Sequence, residues 1–272
     1  MMQHAPARPM SLAIITGDGP EHKYVANRIC AAHDVTRIFV CDAAPRRKWH
    51  KVLTKNPARF VDKTLRKLYL SAIGDAADRQ KSLLRVFGAS SQSFARSDLV
   101  TPVGRPKSGS LLKDIKALKP DIIAVYGTGL IPDDVLGEAR VVALNMHTGL
   151  SPWYRGTACA FWPILERKPE LVGATVHECT AVVDGGRIFF SAPARVFRGD
   201  DLHAVFARAV ETGAAGYVKV IADAQGGNLH GEAQNLTCGR EYKGDMLGIS
   251  AELAARRALR QMSPAWVAET AR

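Results

Sequence analysis

The sequence has no pair of cysteines at C-x-x-C spacing: Cys30, Cys41, Cys159, Cys179 and Cys238 are scattered along 272 residues. That scatter argues against a disulfide framework and against a thiolate zinc site, and leaves the thiols as small hydrophobes. Cys179 stands apart only by its closeness to His177. Long apolar runs are missing too. Nothing approaches the roughly 18 to 20 residues that a bilayer-crossing helix requires, and the opening MMQHAPARPM has no apolar centre of the kind a secretory signal carries. The expected compartment is the cytoplasm, with no membrane partner. A G-x-G-x-x-G fingerprint, internal repeats and low-complexity tracts are likewise missing.

Acidic residues are in deficit, 26 Asp and Glu against 37 Lys and Arg, for a formal net charge of +11. The excess is local. Between Pro45 and Leu70 stand Arg46, Arg47, Lys48, Lys51, Lys55, Arg59, Lys63, Arg66 and Lys67, opposed by Asp62 alone. Such a run is either a solvated helix face or a contact for RNA or another acidic partner.

What is present is enough apolar material, 47% of residues, for one large α/β domain with an appendage. Ser11–Thr16 reads as a strand that turns through Gly17-Asp18-Gly19 into a helix over Glu21–His33 and a strand over Val35–Cys41. Without the full glycine fingerprint, that turn reads as a plain strand-to-helix connection. Residues 45–88 read as two helices parted by Gly74, an insertion on the outside of the domain, with Val52, Phe60, Leu65, Leu68 and Tyr69 as an interrupted apolar stripe. Further helices are predicted over Leu111–Leu118, Asp133–Glu138, Thr157–Glu166, about Asp201–Ile221 and Ser250–Gln261. Strands are predicted over Asp121–Tyr126, Val141–Asn145, Val172–His177 and Ile188–Ala192. The pattern predicts an α/β fold, a doubly wound, mostly parallel, Rossmann-like sheet over residues 1–226, with 227–272 as a short C-terminal helical extension. Ligands of such sheets bind beyond the carboxyl ends of the strands, where GTGLIP (127–132) and NMHTGLSP (145–152) fall.

The stretch NMHTGLSPWYRGT carries the most information. Asn145 and His147, two apart on an extended chain, share a face and can act on one atom. Gly149, Pro152 and Gly156 keep the following loop open and stiff, as a groove for a flat ligand requires. Asp184 sits in a glycine-bounded turn, followed by Gly185 and Gly186, seven positions after His177. Each feature alone has an ordinary structural explanation.

Taken in order, N-x-H, G-x-x-P-x-Y-R-G, F-W, V-x-H and D-x-G-x-I resemble the formyltransferases that use 10-formyltetrahydrofolate. That family includes glycinamide ribonucleotide transformylase, methionyl-tRNA formyltransferase and sugar N-formyltransferases. The likeness runs in element order from Ser11 to Val196 and in motif from Asp121 to Phe190. It implies that Asn145, His147 and Asp184 are the catalytic trio. It also implies that Gly127, Thr128, Gly129, Leu130, Ile131, Pro132, Gly149, Leu150, Ser151, Pro152, Val182 and Val183 line the folate pocket, with no metal. Gly149-Leu150-Ser151-Pro152 stands where the family more usually has SLLP.

The chemistry suits the residue types. Attack of an amine on a formyl carbon places negative charge on the carbonyl oxygen, which the Asn145 amide and a protonated His147 would stabilise. Asp184 would favour the imidazolium and relay the amine proton. His177 is expected to orient the Asp184 loop, and Arg155 either to clamp a substrate phosphate or to hold its own loop through backbone carbonyls.

For the acceptor, the resemblance to the tRNA enzyme implies a C-terminal barrel, for which the 45 residues after Gly227 are too few. A small-molecule amine, such as a nucleotide-linked amino sugar, is therefore preferred to a nucleic acid, and self-association is left open. Two alternatives remain: a hydrolase that sends water to the formyl carbon, and a protein that binds RNA or an acidic partner on a formyltransferase-like scaffold.

Overall fold

The computed structural model describes residues 9–42, 57–107 and 109–262. Strand β1 (Leu12–Thr16) is buried along its whole length, because it lies at the centre of a seven-stranded sheet ordered β3-β2-β1-β4-β5-β7-β8. Its neighbours β2 (Val35–Cys41) and β4 (Ile122–Tyr126) run parallel to it, as do β3 (Val100–Gly104) beyond β2 and β5 (Val142–His147) beyond β4. Strands β7 (Gly173–Glu178) and β8 (Ile188–Pro193) close that side in antiparallel pairing. This is the doubly wound, mostly parallel sheet that the sequence predicts. The edge strand β3 escapes sequence reading because Pro102 and Gly104 interrupt its apolar pattern.

Alternation along the strands builds two cores. Leu12, Ile14, Ile122 and Ala124 face a layer made by helices α1 (Pro20–Ala32), α3 (Asp75–Phe87) and α7 (Leu202–Gln225). Ala13, Ile15, Ile123 and Val125 face α4 (Gly109–Leu118) and α5 (Asp133–Leu136) on the other side.

Two predicted helices are shorter in the structure. Helix α5 stops at Leu136 instead of Glu138. The segment predicted as a helix over Thr157–Glu166 is helical only at α6 (Trp162–Leu165), since Ala158 takes a left-handed φ of 59° and Pro163 favours a helix start. Within the insertion, α2 (Pro57–Ala72) and α3 are parted by Gly74 at φ 70°, as expected; Val52 and the basic residues 46–55 lie outside the described residues.

No residue of α2 is buried, and the predicted apolar positions Leu65 and Leu68 are 48% and 62% exposed. The helix docks instead by charge on α8 (Ile249–Gln261) and the turn before it. Arg66 pairs with the buried Glu252 at 2.9 Å, Arg59 with Asp245 at 3.0 Å, and Asp62 accepts from the Ile249 N–H at 3.0 Å. Two basic residues of the run are thus engaged inside the molecule.

The C-terminal segment is no mere appendage. Its strand β9 (Arg240–Tyr242) pairs in parallel with β6 (Tyr154–Gly156), the PWYRG stretch of the loop after β5. Among the described residues, no helix is long and apolar enough to cross a membrane.

Candidate active site

Tyr217 of α7 fixes the floor of the site. It is fully buried, and its hydroxyl lies 2.8 Å from the carbonyls of both Val125 and Leu144, tying β4 to β5 near their carboxyl ends. Strand β5 runs on through His147, two residues past the predicted end, so Asn145 and His147 are both strand residues on one face. The antiparallel partner β7 then sets His177 opposite Asn145 and Thr175 opposite His147.

Asp184 reaches this pair from the β7–β8 connection, where its backbone adopts a left-handed φ of 49°. The turn is tight because Gly186 presses on the end of β7: a Cβ there would stand 2.0 Å from the Glu178 carbonyl oxygen. Asp184 Oδ2 accepts from the Gly156 N–H at 2.7 Å and lies 3.3 Å from His147 Nδ1. Oδ1 lies 3.3 Å from His177 Nε2 and accepts from Asn145 Nδ2 at 3.4 Å. The trio expected from sequence is brought together, with His177 touching both Asn145 and Asp184. His177 Nδ1 donates to the Glu178 carbonyl at 2.8 Å, and Nε2 lies within reach of both Asn145 Nδ2, at 3.1 Å, and Asp184 Oδ1.

Burial works to raise the Asp184 carboxyl, yet the His147 ring, the hydrogen bond and charge of His177 and the Gly156 N–H together hold it down to about 2. Burial pushes the His147 imidazole down, against the pull of Asp184 and of the Tyr154 carbonyl. Burial thus favours the neutral imidazole while Asp184 and the Tyr154 carbonyl favour the imidazolium, and Gly156 and Asn145 stabilise the carboxylate whatever the ring carries. His147 Nε2 donates to the Tyr154 carbonyl at 2.9 Å, and Nδ1 faces the Asp184 carboxylate at 3.3 Å.

Strand β6 serves two neighbours with its two edges. The Tyr154 carbonyl and the Gly156 N–H point to His147 and Asp184, while Trp153 O accepts from Arg240 N at 3.0 Å and Thr157 N donates to Tyr242 O at 2.8 Å. Glu166 joins the Tyr154 and Tyr242 hydroxyls at 2.8 and 2.5 Å, and the two rings stack. Gln234 donates to the carbonyls of Asp184 and Gly186 at 2.9 and 2.5 Å. Sequence reasoning missed Gln234 and Tyr242, which stand in a polar, glycine-rich tail with no periodicity to mark them.

The predicted pocket residues fall in two places. Leu130, Ile131 and Pro132 line a cleft of about 540 Å³ together with Leu112, Lys107, Thr180 and Ala181; Thr128 and Gly129 lie on the same loop, and Val182 and Val183 lead from this cleft to Asp184. Leu150 and Ser151 are 6% and 1% exposed and brace the site from behind, with Ser151 N donating to Thr175 Oγ1 and Gly149 O accepting from it. Pro152 follows them half-buried. Gly127 is held by His22, whose ring accepts from Gly19 N at 2.9 Å and donates to the Gly127 carbonyl at 3.1 Å. That ring closes the Gly-Asp-Gly turn. Burial, aided by the charges of Asp184 and Glu178, pushes the Cys179 thiol up to about 12, which disfavours the reactive thiolate.

A family profile described as Formyl transferase matches residues 75–221, more than half of the chain and including all three expected catalytic residues. The chain belongs to this family. Its sequence is 33% identical over 142 residues to a methionyl-tRNA formyltransferase of Lacticaseibacillus casei, a match that covers 50% of this chain and 44% of that protein. The chain thus spans less than half the length of this relative. Among solved structures, it shares its fold with a sugar N-formyltransferase from Shewanella sp FDAARGOS_354, at TM-score 0.57 and 17% identity over 92% of this chain and 87% of that one. It likewise resembles HypX from Aquifex aeolicus, determined in complex with tetrahydrofolic acid, at TM-score 0.54 and 12% identity over 96% of this chain and 36% of that one.

Proposed function

We propose that this formyltransferase moves a formyl group from 10-formyltetrahydrofolate to the primary amine of a small molecule, with nucleotide-linked amino sugars as the acceptor class to test first. The observation that carries the reading is the ionised Asp184, gathered with Asn145, His147 and His177 beside the carboxyl end of β5. The sugar specificity of the Shewanella structure supports the acceptor class. The cleft beside Leu130–Pro132 fits the folate, being partly apolar and continuous through residues 180–183 with the Asp184 turn. When bound there, 10-formyltetrahydrofolate supplies the formyl group.

The remaining chemistry belongs to the chain. The amide hydrogen that Asn145 directs at Asp184 spans 3.4 Å, longer than a good N–H···O bond, and is the one free to turn to an oxygen gaining negative charge. In its neutral form His147 offers Nδ1 as the seat for the proton an attacking amine gives up, Asp184 stabilises the imidazolium so formed, and the ring then gives that proton to the departing folate nitrogen, so that tetrahydrofolate leaves. The hydrogen bond to the Tyr154 carbonyl keeps the ring in the required tautomer.

The test is to incubate the protein with 10-formyltetrahydrofolate and a panel of amines while following tetrahydrofolate release. Release that requires an amine is expected. Release at the same rate without amine would make the protein a hydrolase, and no release under any condition would overturn the assignment.

A further inference from the structure

Arg155 is a charged side chain in the loop beside the catalytic centre that the proposed chemistry leaves unused. It is 9% exposed, its Nε is covered and has no hydrogen-bond partner, and it forms no ion pair among the described residues. The backbone of its own loop is satisfied by other groups, namely His147, Asp184 and β9. Arg155 is therefore not the clamp that holds the loop. A guanidinium stays charged at all working pH values, and burying one without an anion is costly. Its position is fixed to within one residue of the reaction centre: Tyr154 on one side contacts His147, and Gly156 on the other contacts Asp184. Within β6, alternation turns the Arg155 side chain to the face opposite Tyr154, whose ring packs with Tyr242. Glu241, its register partner on β9, makes no ion pair with it.

We propose that Arg155 is an anion-binding residue of the active site, receiving a phosphate or carboxylate carried by one of the ligands. This rests on the formyl-transfer reading only for the identity of those ligands. The planar guanidinium suits bidentate contact with either oxyanion through its terminal nitrogens, which are not covered as Nε is. Two sources share this chemistry: a phosphate on the amine acceptor and a carboxylate on the folate.

The experiment compares the full-length wild type with Arg155→Met and Arg155→Lys, measuring binding of tetrahydrofolate and, separately, of inorganic pyrophosphate in the presence and absence of tetrahydrofolate. Thermal unfolding without ligand is recorded alongside. Weakening of one ligand by about tenfold or more in Arg155→Met, with a smaller loss in Arg155→Lys, is expected. Selective loss of pyrophosphate assigns the anion to the acceptor, and selective loss of tetrahydrofolate assigns it to the folate. Without ligand, Arg155→Met should unfold at the wild-type temperature or above, because it removes a buried charge with no internal partner. Unchanged binding of both ligands, or a marked drop in unliganded stability with unchanged binding, would overturn the proposal. Binding is read without turnover, so a protein that fails to transfer formyl groups still reveals whether Arg155 holds an anion.

Discussion

The proposed chemistry turns on where one proton sits. His147 lies below its ordinary value because it is buried, and Asp184 acts against that lowering. Amine-dependent transfer should therefore fall on the acid side, at a pH below the ordinary imidazole value of 6.5, as Nδ1 fills before the amine can use it. Asp184→Asn and His147→Ala should each lower kcat by about a hundredfold or more while the fold persists. In Asp184→Asn the residual acid limb should move to still lower pH, since the group that raises His147 is gone; a pH–rate profile decides. Stability has a matching sign. The Asp184 carboxyl titrates near 2 instead of 3.8, so its contribution, about 2 kcal/mol, is fully present above the higher value and lost as pH falls through the lower one. Thermal unfolding of wild type and Asp184→Asn between pH 5 and 2 should converge at the acid end.

At the scale of elements, the working part is a three-residue strand. Gly156 takes a φ of 97°, and a Cβ there would lie 2.3 Å from the Tyr242 carbonyl oxygen. Gly156→Ala should displace β6 from β9, draw the Gly156 N–H away from Asp184, and lower both the unfolding temperature and kcat. Gln234→Leu, which keeps the side-chain bulk but removes two hydrogen bonds to the Asp184 turn, should lower kcat by about tenfold with a smaller change in KM. Much of this architecture was legible in the sequence and some was not. The strands of the main sheet other than β3 announce themselves, the central ones because continuous apolar runs such as LAIIT are what a doubly covered strand needs. Asn145, His147 and Asp184 stand out in the sequence through their order along the chain, and the structure gathers them without testing their role. Strands β6 and β9 were not legible, because three residues are too few to show a period and their pairing is set by backbone groups. The helix predicted from Thr157 failed because a left-handed residue, Ala158, is invisible to apolar spacing. The stripe on α2 misled because ion pairs to Glu252 and Asp245, not burial, hold that helix.

For the molecule as a whole, the loop after β5 is held between the large sheet and the C-terminal segment, and both border the candidate site. The last residues described also carry α8, which receives α2 through Asp62 and Arg66. Segments nearly 190 residues apart are thus joined. Gly227, at φ 71° on the surface, is the natural place to sever that connection. Co-expressed fragments 1–227 and 228–272 should reassemble through β6 and β9, and transfer activity should appear only when both are supplied; full activity from the first fragment alone would contradict this. The β6–β9 pairing would then serve as a docking seam for a split enzyme, in which formyl transfer reports that two polypeptides have met.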